Sequence, residues 1–342
     1  MRQLLIGMLL VWAIGGQAVA AAPRVSLEIL TQPGLAPTAA HQWYEALSKL
    51  GFTNLQIRSG NPGEEMDIET TGAGSSKSFR VTGILGTDNT LQVPGGKFGV
   101  RDSGRIQTWL NNLGTDGVEG VTAPRAAFGM TPSQIEHIHA DLRRPVSIST
   151  VGMTADQAVS AIAKSLRGPV RLGPGAGGEL ARVTLEDELR GITSGTALAA
   201  IARPAGLVFA PARQANGKIE YRIGPPVKGE QTWSIGFTPQ QRAVQVLPAM
   251  FDVLNVEISE IPVSEALTAI QERLNVPFVY DRNAMALHGA DPASAPAEVP
   301  GKRLSYSQVL GKVLSQAGMR YELRVDEADR PFLWITTIKP AL

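Results

Sequence analysis

The 342-residue chain carries one internal repeat, and that repeat limits the folds open to it. "FGMTPSQ" (residues 128–134) returns as "IGFTPQQ" (235–241), an offset of 107. Ala158, Ile162 and Leu166 return at an offset of 108 as Ala266, Ile270 and Leu274, and Pro169-Val170 returns as Pro277-Phe278. "ALAAIARPAGLVF" (197–209) matches "VLGKVLSQAGMRY" (309–321) at 112, and so does Tyr221-Arg222-Ile223 with Leu333-Trp334-Ile335. The segments keep one order, and small loop insertions account for the drift in offset. A fold that accepts this chain must build one small unit twice.

Each copy carries the same local signals. Thr131-Pro132-x-Gln134 and Thr238-Pro239-x-Gln241 are helix starts, because Thr caps a free backbone N–H, Pro suits the first helical position and Gln reaches back to the cap. Strands are expected at 146–149 and 256–259, and amphipathic helices at 154–166 and 263–274, whose apolar residues recur every three or four positions. Pro169 and Pro277 end those helices and open the strands "VRL" and "FVY". A second helix closes on Gly206 or Gly318, the residue type that accepts the left-handed conformation after a helix. A hairpin follows: "LVFA" with "KIEYRI", and "RYELRV" with "FLWITT". Each copy thus reads as a β-α-β-loop-α-β-β module. The fold class expected is α+β, with three small α/β-sandwich-type domains of which the last two are the tandem repeat.

Residues 22–120 lie outside the repeat and read as a separate α+β domain. Strands are expected at "RVSLEIL", "NLQIRS" and "SFRVTGIL", a hairpin at "TLQVPGGKFGVRD", and helices at "TAAHQWYEALSKLGF" and "SGRIQTWLNNLG". "GNPGEEMDIETTGAGSSKS" reads as a long polar loop, and residues 114–125 as the linker. Residues 121–229 and 230–342 are then the two modules with their leading helices.

The first 21 residues read as a secretory signal. Arg2 precedes an apolar run from Leu4 to Ile14, and small residues follow, so cleavage is expected near Ala20-Ala21 and the mature chain in the periplasm or outside the cell. No later window reaches the roughly 18 apolar residues of a membrane span. The chain has no cysteine, which removes thiol nucleophiles, thiolate zinc sites and iron–sulfur clusters. With 32 basic and 31 acidic residues, the charge gives no basic face for nucleic acid.

The second copy resembles the secretin and TonB short N-terminal (STN) domain. The residues that carry the likeness are "VEISEIPVSEALTAIQERLNVPFVYD", "PGKRLSYSQVLGKVLSQAGMRYELR" and "PFLWIT", within 256–337. The first copy matches over 146–224, with an atypical loop "GPGAGGELARVTLEDELRG". The resemblance implies a periplasmic interaction module that docks onto envelope proteins of an outer-membrane transport or secretion assembly. The sequence given stops at Leu342 with no barrel or secretin core after the second copy, so docking or scaffolding is the role expected. The N-terminal domain is similar to the sporulation-related peptidoglycan-binding repeat in its opening strand, helix and central strand, which gives the alternative: a protein that holds peptidoglycan or another glycan.

Few residues invite chemistry. His137 and His139, two apart on an expected helix, point to opposite sides and suit no shared metal. Gly173-x-Gly175-x-x-Gly178 has the letters of a dinucleotide loop, but no helical period follows at once, and it reads as a flexible turn. Glu186-Asp187-Glu188 reads as a solvated edge. No catalytic residue, cofactor or metal is therefore expected, and the chain reads as a non-enzyme. The candidate partner-binding residues are Ile219, Tyr221, Leu333 and Ile335, on hairpin strands taken as open sheet edges, and Trp233, an aromatic anchor whose competing role is packing between the modules.

Overall fold

The computed structural model describes residues 24–73, 76–214 and 217–339. The signal-peptide reading of 1–21 lies outside them. The chain divides into two compact units, Met1–Pro124 and Arg125–Leu342.

The first unit is a sheet with helices on one face. Its elements are β1 (Arg24–Thr31), α1 (Pro37–Ser48), β2 (Asn54–Ser59), β3 (Asp67–Thr71), β4 (Ser78–Leu85), β5 (Thr90–Val93), β6 (Gly96–Gly99), α2 (Ser103–Asp116) and α3 (Glu119–Thr122). The strand order is β2-β1-β4-β5-β6, and β3 pairs antiparallel with the first half of β4. Alternation explains the covered face: Val25, Leu27 and Ile29 of β1 and Phe79, Val81 and Leu85 of β4 are buried and the residues between the first of these on each strand are more exposed, although Leu30 at the end of β1 is buried on the opposite side. Trp43 and Leu47 of α1 and Ile106, Trp109 and Leu113 of α2 complete this core. Both indoles keep a partner: Trp43 donates to Asn89 Oδ1 at 2.9 Å and Trp109 to the Pro94 carbonyl at 3.1 Å. Two elements depart from the sequence reading. α3 falls within the stretch expected as the linker, 114–125, where Val121 packs against this core. β3 forms inside the stretch expected as a polar loop, with Ile68 as its one large apolar residue.

The second unit holds both repeat copies. The first contains α4 (Pro132–Leu142), α5 (Ala155–Ala163), β7 (Val170–Leu172), α6 (Ala176–Ala181), α7 (Ser194–Ala202), β8 (Val208–Arg213) and β9 (Ile219–Gly224). The second contains α8 (Ala243–Val246), β10 (Val253–Pro262), α9 (Val263–Leu274), β11 (Phe278–Tyr280), α10 (Arg282–His288), β12 (Pro296–Ser305), α11 (Tyr306–Gln316), β13 (Met319–Val325) and β14 (Pro331–Thr337). Each copy has a three-stranded sheet of one topology: β7-β9-β8 in the first and β11-β14-β13 in the second, with the outer pairs parallel and antiparallel in turn.

The copies differ at their start and in the strand that follows it. The capping box expected at Thr131 forms and starts α4, but the same letters at Thr238 start no helix. There Phe237 is drawn into a two-way backbone pairing with Val325, and the helix waits until Ala243. The strand expected at 146–149 shrinks to backbone bonds between Val146 and residues 191–192, whereas its counterpart β10 grows into a ten-residue ribbon with β12. The glycines at 173–178 lead into α6, a six-residue helix that the sequence period did not show.

The two copies share one core. Along β14, Leu333 and Ile335 join the second copy's own helices, while Phe332 and Trp334 join the cluster of the first. β11 divides the same way, with Phe278 inward and Val279 toward the first copy. The second sheet is therefore covered on both faces, and its strand reads as a continuous apolar run. Helix α7, "SGTALAAIA", fits this position. It is buried on nearly every side between its own sheet and the next one, and its small side chains allow close approach. The layers run sheet, helices, sheet, helices.

Candidate functional site: the junction of the two modules and its open surfaces

The junction is built around buried carboxylates. Glu327 sits at the turn between β13 and β14. Its Oε1 accepts a hydrogen bond from Trp233 Nε1 at 2.6 Å, and its Oε2 accepts from the hydroxyls of Thr193 and Thr196. Asp326 beside it accepts from the Thr193 amide at 3.1 Å. The two threonines lie at the start of α7, so the second copy's turn caps the first copy's helix, as an anion at a helix N-terminus should. Gly195 leaves room here: a Cβ added to it would clash with the Glu327 carboxylate and the Trp233 indole.

At the other end of α7, Arg203 grips Asp281 with two nitrogens at 2.8 and 2.9 Å, and its guanidinium lies 5.9 Å from the Trp334 ring centre. Asp281 also accepts from Thr336 Oγ1 and caps α10 through the Ala284 amide. Asp187 accepts from the Tyr280 amide and from Arg282, and Glu186 pairs with Arg282 at 2.8 Å. The acidic run read as a solvated edge is therefore in part a strut between the modules. Burial, with Asp187 nearby, pushes the Tyr280 phenol up to about 12. Within the first copy Asp141 collects the Arg167 and Gly168 amides and the Tyr221 hydroxyl, and burial with Asp141 raises that phenol strongly. A buried carboxylate is retained only where donors surround it, and the four buried ones here, Asp141, Asp281, Asp326 and Glu327, are each engaged in that way.

The linker between copies is part of the junction. The Trp233 amide donates to the Phe209 carbonyl of β8, Arg324 of β13 donates to the Ile235 carbonyl at 2.8 Å, and Phe237 pairs with Val325. Residues 233–237 thus run between β8 and β13 and cover part of both edges. Trp233 stacks on Phe128 and His139, with ring centroids 5.8 and 5.0 Å away.

These positions correct the candidate edge strands. β9 and β14 are the central strands of their sheets, because the parallel strand that follows the first helix adds beside them. Tyr221, Leu333 and Ile335 are buried core residues and Ile219 packs against the core. Trp233 is buried too, in the inter-module packing role. None of the five presents an open side chain or edge to a partner. His137 donates from Nδ1 to the Ser133 carbonyl, away from His139, so the pair is split as the helix geometry demands. His41 meets Glu45 at 3.2 Å on the exposed surface of α1, and His288 ends α10.

The open surfaces lie elsewhere. The outer face of the first sheet holds a groove of about 890 Å³ lined by Arg171, Leu172, Val208, Ala210, Arg222 and Val227. A second groove of about 770 Å³ runs past His139, Phe237, Gln241, Gln245 and Asp329. The β10–β12 ribbon has β10 along one side. Among the described residues no group of three or more metal-ligating side chains gathers, and no helix is long and apolar enough to cross a membrane. Compared with protein-family models, with curated proteins and with solved structures, the chain matches none.

Proposed function

We propose that the chain is an exported, non-catalytic docking protein of the cell envelope, with the fused STN-like pair as a rigid platform for other envelope proteins. One observation carries this reading: the buried carboxylates at the junction are held by helix starts, arginines and an indole of the neighbouring module. They serve as struts. A pair locked in this way presents its ribbon edge and its grooves in fixed relative positions, which lowers the ordering cost of binding a partner. The likeness of residues 256–337 to the STN domain and the apolar leader at the N-terminus support the same reading.

The glycan alternative gains little from the first unit. Trp43, Phe79, Phe98 and Trp109 are core residues, and Tyr44, 50% exposed, is the one large aromatic on its surface among the described residues.

The test is affinity capture from an envelope fraction with the full mature chain, followed by reconstitution of each captured protein in purified form and calorimetry. A defined complex between pure components supports docking. Sedimentation with purified cell-wall sacculi, with no protein complex reconstituted, transfers the role to the first unit and overturns the proposal. Truncation at residue 230 is not a usable control, since it strips Trp233, Val279, Phe332 and Trp334 from the first copy's core.

A further inference from the structure

The two strands of the β10–β12 ribbon treat their outer edges differently. On β12, Glu298 turns its backbone away from β10: its amide donates to Gln316 Oε1 at 2.8 Å and its carbonyl accepts from Gln316 Nε2 at 3.0 Å. A side-chain amide there stands in for a neighbouring strand. Two residues to either side, on the same outward edge, are Pro296 and Pro300, which have no N–H to offer. Lys302 and Arg303 follow. These are the devices by which sheets refuse another strand.

β10 carries none of them between Val253 and Ser259. Because Glu298 faces out, Val299 faces β10, and its partner Ile258 faces β12. Glu257 alternates with Ile258 and so directs its backbone groups outward; the register with β12 shifts on either side of Ile258, and Ser259 leads into the irregularity at the left-handed Glu260. Among the described residues, no strand other than β12 pairs with β10, so that edge carries no further strand. Pro262 and the left-handed Glu260 end it on one side. At its other end Val253 is 56% and Phe251 42% exposed. The charges on this strand and just before it are Asp252, Glu257 and Glu260, all acidic, while Lys302 and Arg303 stand across the ladder on β12.

We propose that the outer edge of β10, residues 253–259, receives an extended segment of a partner protein that adds a strand to the ribbon. The segment carries Lys or Arg opposite Glu257 and an apolar residue against Val253 and Phe251. Main-chain bonds supply affinity and the alternate side chains supply selectivity. A second copy of this chain is the poorer occupant, since pairing β10 with itself brings like carboxylates together. The inference rests on the docking reading and specifies its surface.

A display library of short random peptides panned on the full chain tests it. Enriched peptides should be basic at alternating positions. Binding should weaken about tenfold or more in Glu257→Lys and in Ser259→Pro, with the melting temperature unchanged. Amide exchange at Glu257 and Ser259 should slow in the complex. Should Ser259→Pro unfold the chain, Glu257→Lys, a change at an exposed side chain, decides. Peptides whose binding instead falls with Arg222→Glu, with no protection on β10, overturn the edge and leave docking standing. No enrichment and no protection overturn the edge as well, and only failed reconstitution with envelope proteins removes docking itself. Dimers in sedimentation that vanish in Glu257→Lys or Ser259→Pro would make the occupant a second copy and overturn the choice of partner.

Discussion

Replacing Trp334 by Ala tests whether the two modules are one cooperative body. Trp334 is 4% exposed, and its ring faces the first copy although its strand belongs to the second. A Trp side chain buries roughly 200 Å². At about 25 cal/mol per Å² its removal costs roughly 5 kcal/mol, in line with the 3–5 kcal/mol typical of Trp→Ala in cores. The guanidinium groups of Arg203 and Arg324 lie 5.9 and 5.1 Å from the ring centre. Both are partly exposed, so each adds only about 0.5–1 kcal/mol. The sum is roughly 6–7 kcal/mol, a large share of the roughly 5–15 kcal/mol that holds a domain. For a unit of this size the melting point should fall by about 12–28 °C. Scanning calorimetry of the full chain should show one transition for residues 125–342 that moves as a whole. The transition of the first unit should stay in place. A transition that splits in two, with the first copy melting where it did before, would refute the shared core. So would a shift of less than about 2 °C.

Three further outcomes follow from particular contacts. Gly195→Ala places a methyl against Glu327 and the Trp233 indole, so it should destabilise by about 1–3 kcal/mol in urea unfolding despite roughly 1 kcal/mol of improved helix propensity; a neutral result would mean that the carboxylate is free to move aside. Tyr221→Phe removes one of the donors on Asp141 and should cost roughly 1–2 kcal/mol, since the Arg167 and Gly168 amides still satisfy the carboxylate. In the first unit, hydrogen bonds from Arg58 and Asn61 hold the Glu64 carboxyl well below its ordinary value, at about 2. Its folded value lies below its unfolded one, so its contribution to stability is present above about pH 4.5 and is lost as pH falls toward 2. A carbon-detected NMR titration should find it ionised at pH 3 to 4, and Arg58→Ala should return it toward the ordinary range.

The sequence shows what local signals govern. β1, α1, β4 and α2 announce themselves by period and by their flanking breakers. The repeat shows through because Pro169, Pro277, Gly206 and Gly318 punctuate both copies alike. What it hides is set by distant parts of the chain. Thr238-Pro239-x-Gln241 is a sound helix start that loses to the pairing of Phe237 with Val325, 88 residues on in sequence. β3 escapes notice because "DIETT" has one large apolar residue and forms only where β4 offers an edge. The mistaken edges have a similar origin. Strand composition says that "FLWITT" is a strand, and its unbroken apolarity signals two covered faces. Taking that run as a sticky edge missed the alternative that a neighbouring module had already covered it. The better clue to the open edge was the pair of prolines in β12 together with their absence from the first seven residues of β10.

The first sheet turns to solvent the same face that the second sheet buries. Where the second has Val279, Phe332 and Trp334, the first has Arg171, Arg222 and, covered by Arg222 and Gln214, the carboxylate of Glu220, the same positions one repeat earlier. Three side chains therefore act as punctuation for an array. Exchanging them for their apolar counterparts, with small compensating changes nearby, would give a module prepared to accept another set of helices. A longer tandem could then be assembled by duplication at that end, and its length would be set by the polarity of one surface, with no change to the unit itself.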